Sequence, residues 1–307
     1  MAFAEYIATE IAADHRDGLL SRREALRRLA LLGVGAAGAS ALLAACGGDG
    51  QKERSARQTT ATTATTAPGM GGAPPAPATG DNALAITFAG PGGQLMGAWA
   101  EAAPAKGAVL IIHENRGLTP HFKALPKRLA ADGYSALVVD LLSKEGGTGS
   151  FADEAQATAA LAAAPRDRLI NDLKAGIDEL GRRSPGKKIG AMGFCFGGGM
   201  TWSLLASGES RLAAAVPFYG PLPESPDFSR AKAAVLAIYA GNDDRVNASR
   251  DAAEAALKKA GLVYQIRTFP GVDHAFFNDT GPRYNAAAAT EAYQAVKDWF
   301  GRYLAPA

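Results

Sequence analysis

Beyond residue 100 the chain repeatedly sets an unbroken apolar run between helix-like stretches, and this constrains the fold more than any other feature. The runs cover residues 108–112, 136–139, 189–192, 213–216 and 234–239. A strand with one wet face alternates apolar and polar residues, whereas continuous runs mark strands buried on both faces. Between the runs, residues 122–131, 167–180, 198–207, 248–260 and 287–303 read as helices. Strand and helix in alternation predict an α/β domain, a mostly parallel sheet flanked by helices. Two further runs, 84–88 and 95–100, bracket Gly90, Pro91, Gly92 and Gly93 and predict an N-terminal β-hairpin. No internal repeat is present, and one domain over 81–307 accounts for the pattern.

The preceding residues read differently. Arg22 and Arg23 stand before an apolar stretch at 29–45 that ends in small side chains, which resembles a bacterial twin-arginine export signal. Crossing a bilayer takes about 20 predominantly apolar residues; this stretch has 17, three of them glycine, so a permanent membrane span is disfavoured. No polar face recurs in it at helical spacing. Leu43, Ala44, Ala45 and Cys46 resemble a lipobox, so Cys46 is expected to carry lipid and to hold an exported protein at the membrane surface; the alternative is an ordinary cleavage site beside an uninvolved cysteine, which leaves the protein periplasmic or extracellular. Residues 1–46 are therefore read as a signal segment. Residues 47–80, mostly Ala, Thr, Gly and Pro with Met70 as the one large apolar side chain, are read as a disordered linker.

Charge excludes one class of function. With 32 Lys and Arg against 30 Asp and Glu, the net charge of +2 lacks the basic excess that nucleic-acid binding leaves in a composition. The two cysteines, Cys46 and Cys195, are too far apart in the chain to read as a disulfide framework.

Cys195 lies in Gly193-Phe194-Cys195-Phe196-Gly197-Gly198, between a predicted strand and a predicted helix. This is the G-x-C-x-G form of a nucleophile elbow, a tight turn that lifts one side chain above the sheet. Glycines on either side remove Cβ atoms that would collide in the turn, and the helix that follows aims backbone N–H groups at the nucleophile. A thiol of ordinary pKa, about 8.5, is only slightly ionised at neutral pH and needs a base. In this architecture the members follow the order nucleophile, acid, base. Among the four histidines only His274 comes after both Cys195 and a carboxylate on a loop that follows a strand. The acid is Asp243 or Asp244, adjacent residues after the strand at 234–239. The loop after the strand at 108–112 supplies one oxyanion-binding N–H and the residue after the nucleophile the other, which places Asn115 and Phe196 in those roles. Glu114, at a strand end beside the site, can tune the thiol. His113, Glu114 and His121 match no compact metal-ligand spacing, so no metal is expected.

Taken together, these motifs resemble the dienelactone hydrolase family of α/β-hydrolases. The likeness runs in order through 112–117, Asp140-Leu141-Leu142, 193–198, 239–247 and 270–276. It implies cofactor-free hydrolysis of an ester or lactone: attack by Cys195, a proton shuttle through His274, and Asp243 orienting that histidine. The aspartate stands three residues before the aliphatic Val246, as the family pattern requires, with Asp244 left to cap the next helix or face solvent. Glu114 matches the glutamate that contacts the resting thiol in relatives. Enzymes specific for dienelactone carry an arginine four residues after the histidine, to hold the substrate carboxylate. Asn278 stands there in this chain, and Ser143-Lys144-Glu145 follows the strand that ends near Asp140 without a second expected arginine. Arg116, Arg245 and Arg283 are the substitutes available for binding substrate. The expected partner is a small ester or lactone, and the expected state a monomer. Competing readings are a thioesterase, another esterase or a peptidase on the same fold, or a lipid-anchored binding module without turnover.

Overall fold

A computed structural model describes residues 3–45 and 83–305. The chain divides into two compact units, residues 1–76 and 77–307. Cys46 and the linker at 47–80 lie outside the described residues.

In the first unit three helices follow one another: α1 (Phe3–Arg16), α2 (Arg22–Leu31) and α3 (Ala36–Ala45). Ser21 caps α2, its hydroxyl accepting the Glu24 N–H at 3.2 Å, and Glu24 in turn pairs with Arg28 at 2.8 Å, one turn further on. The apolar stretch at 29–45 is not one helix, because Gly33, at φ 79°, turns the chain between α2 and α3. No helix among the described residues is long and apolar enough to cross a membrane.

The second unit is built on one eight-stranded sheet: β1 (Leu84–Gly90), β2 (Gly93–Ala100), β3 (Gly107–Ile112), β4 (Tyr134–Asp140), β5 (Ile189–Phe194), β6 (Leu212–Phe218), β7 (Ala234–Ala240) and β8 (Tyr264–Phe269). Their order across the sheet is β1-β2-β4-β3-β5-β6-β7-β8. The hairpin β1–β2 closes through Pro91 and Gly92, and β2 pairs antiparallel with β4. All remaining pairs are parallel. Strands β3, β4, β5 and β7 are buried along their whole length, as the unbroken runs predict. The edge strands β1 and β8 each have one buried residue, Phe88 and Phe269, and carry mixed residues.

The helices of this unit are α4 (Pro120–Ala131), α5 (Glu154–Ala163), α6 (Arg166–Arg183), α7 (Phe196–Ala206), the single turn α8 (Asp244–Asn247), α9 (Arg250–Lys259) and α10 (Ala286–Tyr303). Leu169, Leu173, Ile177 and Leu180 form the buried stripe of α6, spaced three and four residues apart. In contrast, α7 is buried on nearly every side and forms part of the core.

This strand order creates the position for a site. From β3 the chain turns to one side to form β4, then returns to the other side of β3 to form β5. The loops leaving β3 and β5 are thus neighbours at the carboxyl edge of the sheet, a switch point where such sheets place their ligands.

Candidate active site

Cys195 occupies the turn between β5 and α7, buried, with φ 56° and ψ −117°. That left-handed conformation is costly for a residue with a Cβ and persists only where surrounding structure holds it. Two hydrogen bonds hold it: the Cys195 N–H donates to the Phe218 carbonyl at 3.1 Å, and its carbonyl accepts the Gly199 N–H at 3.0 Å. The glycine bracket has a direct steric cause. A Cβ at Gly193 would run into the Gly197 carbonyl, and one at Gly197 would run into the carbonyls of Ile112 and His113. Four non-glycine residues have positive φ among those described, and Cys195, Tyr219 and Ala275 are three of them. Tyr219 packs edge-on against His274, and Ala275 follows it, so strain gathers around one point.

His274 and Asp243 are both buried, and the Asp243 Oδ2 lies 2.5 Å from His274 Nδ1. Burial alone would raise the Asp243 carboxyl, but the charge and hydrogen bond of His274, helped by Arg245, hold it below the usual carboxylate range. An ionised carboxylate only accepts, so Nδ1 carries a proton, and when the ring is neutral Nε2 keeps its lone pair. Cys195 Sγ and a ring nitrogen of His274 lie within 4.8 Å of each other.

Of the two places left open for Asp244, capping the helix or facing solvent, the structure shows the second. Asp243 is itself the cap of α8: its Oδ1 accepts the Val246 N–H at 3.3 Å while Oδ2 serves His274. Asp244 is exposed in the first turn and faces solvent.

Glu114 is buried beside these groups, one carboxylate oxygen accepting the Asn278 amide N–H at 2.8 Å. Asn278 is oriented for this by Thr280, whose N–H and hydroxyl both donate to its oxygen, at 3.1 and 2.7 Å. Burial pushes the Glu114 carboxyl up, against the opposing pull of His121, Asn278, Arg116 and His274. A raised carboxyl contributes stability that is fully present below its unfolded range, about pH 4.3, and is lost as pH rises through the folded value. Glu114→Gln cannot ionise. Its melting temperature is therefore expected to gain on that of the wild type as pH rises through this window. A difference that stays constant from about pH 4 to about pH 8 would show that Glu114 titrates alike in the folded and unfolded chains.

His113, read beside Glu114 and His121 as a weak ligand set, gives both ring nitrogens to backbone groups, the Glu114 carbonyl and the Leu141 N–H. That removes it from any such set. His121 instead pairs with Asp279, at 2.6 Å between Nδ1 and Oδ1, and the hydrogen bond from His121 keeps the Asp279 carboxyl low. Asp279 is a residue that the motif reading missed, because nothing in its local sequence distinguishes it. Of the three arginines considered for substrate, Arg245 leans on Asp243 at 4.0 Å and Arg116 reaches Glu154 of α5 at 3.3 Å. Arg283 lies half-buried in the loop before α10.

A mostly parallel sheet of eight strands, helices on its faces and a strained strand-to-helix turn at the switch point define the α/β-hydrolase fold. The pattern of the Dienelactone hydrolase family matches residues 96–304, and the chain belongs to that family and is a hydrolase of the dienelactone hydrolase-like kind. An Escherichia coli (strain K12) protein named "Putative carboxymethylenebutenolidase" is 31% identical over 209 residues, covering 64% of this chain and 76% of its own. Among solved structures, a Klebsiella pneumoniae protein called "Putative Dienelactone Hydrolase" superposes with a TM-score of 0.62 at 25% identity, over 72% of this chain and 99% of its own. The dienelactone hydrolase of Anabaena variabilis shares the fold with a TM-score of 0.58 at 23% identity, over 72% of this chain and 97% of that one.

Proposed function

We propose that this hydrolase cleaves an uncharged ester or lactone through a covalent acyl-enzyme on Cys195, with His274 as base and Asp243 as the group that orients it. The observation that carries the reading is the buried Asp243–His274 pair beside a thiol held in the strained turn. His274 Nε2 takes the thiol proton as Sγ attacks the carbonyl carbon, and the oxyanion is received between the Asn115 and Phe196 N–H groups. As the tetrahedral intermediate collapses, the proton passes to the leaving oxygen. Water, deprotonated by the same nitrogen, then releases the acid and restores the thiol.

Preference for an uncharged substrate follows from Asn278. The side chain is neutral, and its amide is already committed to Glu114 and Thr280, so the position provides no cation for a substrate carboxylate. Placing a carboxylate in a buried site without a partner is costly. Assayed as the full chain against p-nitrophenyl acetate, neutral lactones, carboxylate-bearing lactones, thioesters and amides, the protein is expected to turn over the esters and neutral lactones. A carboxylate on the lactone is expected to lower kcat/KM by about tenfold or more. Preference for the charged lactone would restore a carboxylate clamp, preference for an amide would make the enzyme a peptidase, and absence of turnover across the panel would leave a binding module.

A further inference from the structure

His113 is the first residue beyond β3, fully buried, and has no part in the chemistry above. Its protonation state can be read from its partners. The Leu141 N–H meets Nε2 at 3.1 Å, and an amide N–H only donates, so Nε2 holds a lone pair. The ring proton is then on Nδ1, which donates to the Glu114 carbonyl at 2.7 Å. Burial favours this neutral ring against the nearby charge of Asp140, and the pKa of His113 is lowered.

The carbonyl that His113 holds belongs to the same peptide group as the Asn115 N–H. A trans peptide is planar, with its C=O and N–H pointing in opposite directions. Drawing the Glu114 oxygen toward the imidazole therefore turns the Asn115 N–H away from it. Were this peptide to flip, a carbonyl oxygen would stand where a donor is needed, and it would repel the developing negative charge. The same ring also stacks on Phe196, at 6.2 Å between centroids and 7° between planes. Phe196 carries the second N–H that the proposed reaction uses. The two arms are already close, since a Cβ on Gly197 would collide with the carbonyls of Ile112 and His113.

We propose that His113 is a positioning residue for the oxyanion-binding site, its Nδ1–H holding the Glu114–Asn115 peptide with the Asn115 N–H turned toward the reacting carbonyl. This rests on the role given to Asn115 above. It touches no substrate and transfers no proton.

Two conservative variants of the full chain separate the ring's two bonds. His113→Asn places an amide N–H where Nδ1 was and keeps the bond to the Glu114 carbonyl. His113→Gln extends to the Leu141 N–H and gives up the Glu114 bond. On p-nitrophenyl acetate, His113→Gln is expected to lose about 10²-fold in kcat with KM within about twofold, and His113→Asn to keep most of the wild-type kcat. Alkylation of Cys195 by iodoacetamide displaces iodide from a saturated carbon and forms no oxyanion. Its rate is expected to stay within about twofold of wild type in both variants, which also reports that the site is folded. If His113→Gln loses kcat and alkylation together, if Asn and Gln rank in reverse, or if neither variant changes kcat, the positioning role is overturned. Cys195→Ala run beside them keeps the two readings apart: full turnover without the thiol would sink the triad itself, whereas a dead Cys195→Ala with a fully active His113→Gln would sink only the role of His113.

Discussion

Cys195→Ala is expected to lower ester turnover by about 10⁵-fold or more, the scale on which removal of a covalent nucleophile acts when its partners are left idle. The fold should tolerate the change. What makes position 195 unusual is its backbone, at φ 56°, and that conformation is imposed by hydrogen bonds to Phe218 and from Gly199 that use no side-chain atom. An alanine Cβ meets the same steric conditions as the cysteine Cβ, so the strain is unaltered and only the sulfur is lost. Melting temperature is expected to shift by a few degrees at most, as for a small buried truncation. Loss of activity with stability retained is the signature of a nucleophile. Turnover in the variant comparable to wild type would remove the thiol from the mechanism, and the hydrolysis would then have to start from another group at the switch point.

Much of this site was readable before any geometry, for reasons that can be traced to particular residues. Cys195 stood out because a strand, a glycine bracket and a helix converge on it, and each of those signals is local. His274 and the aspartates followed from chain order. The contacts that set their environment have no such trace. Asn278 reaches Glu114 across 164 residues and His121 reaches Asp279 across 158, so neither pairing leaves a periodicity or spacing to detect. Helix α5 was missed because its ten residues are largely alanine, with apolar character on every face and no stripe to count. Helix α1 was overlooked inside a segment read as an address. Strand β8 is not among the unbroken runs, since an edge strand buries only part of itself: within Tyr264–Phe269 only Phe269 is buried. Asp243 and Asp244 show a further limit. The sequence reading leaves Asp244 to cap the helix or to face solvent, whereas capping falls to Asp243, whose two carboxylate oxygens serve the Val246 N–H and His274.

That double use makes Asp243→Asn a sharp test. Asparagine has the same shape and is as good a helix cap as aspartate, so the Val246 N–H can still be satisfied and α8 retained. The bond to His274 is what changes. An amide that turns its NH₂ toward Nδ1 favours the tautomer with the proton on Nε2, and that nitrogen can then no longer accept from the thiol. Turnover is expected to fall by about 10³- to 10⁴-fold, in line with the cost of a wrong histidine tautomer in a triad. Asp244→Asn, an exposed change one residue away, is expected to stay within about twofold of wild type. Stability supplies an independent sign. Asp243 is held below the usual carboxylate range, so its ionised form contributes stability above the unfolded pKa of about 3.9 that is lost as pH falls through the lower folded value. The stability deficit of Asp243→Asn should therefore be present at neutral pH and shrink on acidification through that window. If Asp244→Asn were the damaging change, His274 would have to find its orientation elsewhere, and if the Asp243→Asn deficit ignored pH, Asp243 would titrate alike in the folded and unfolded chains.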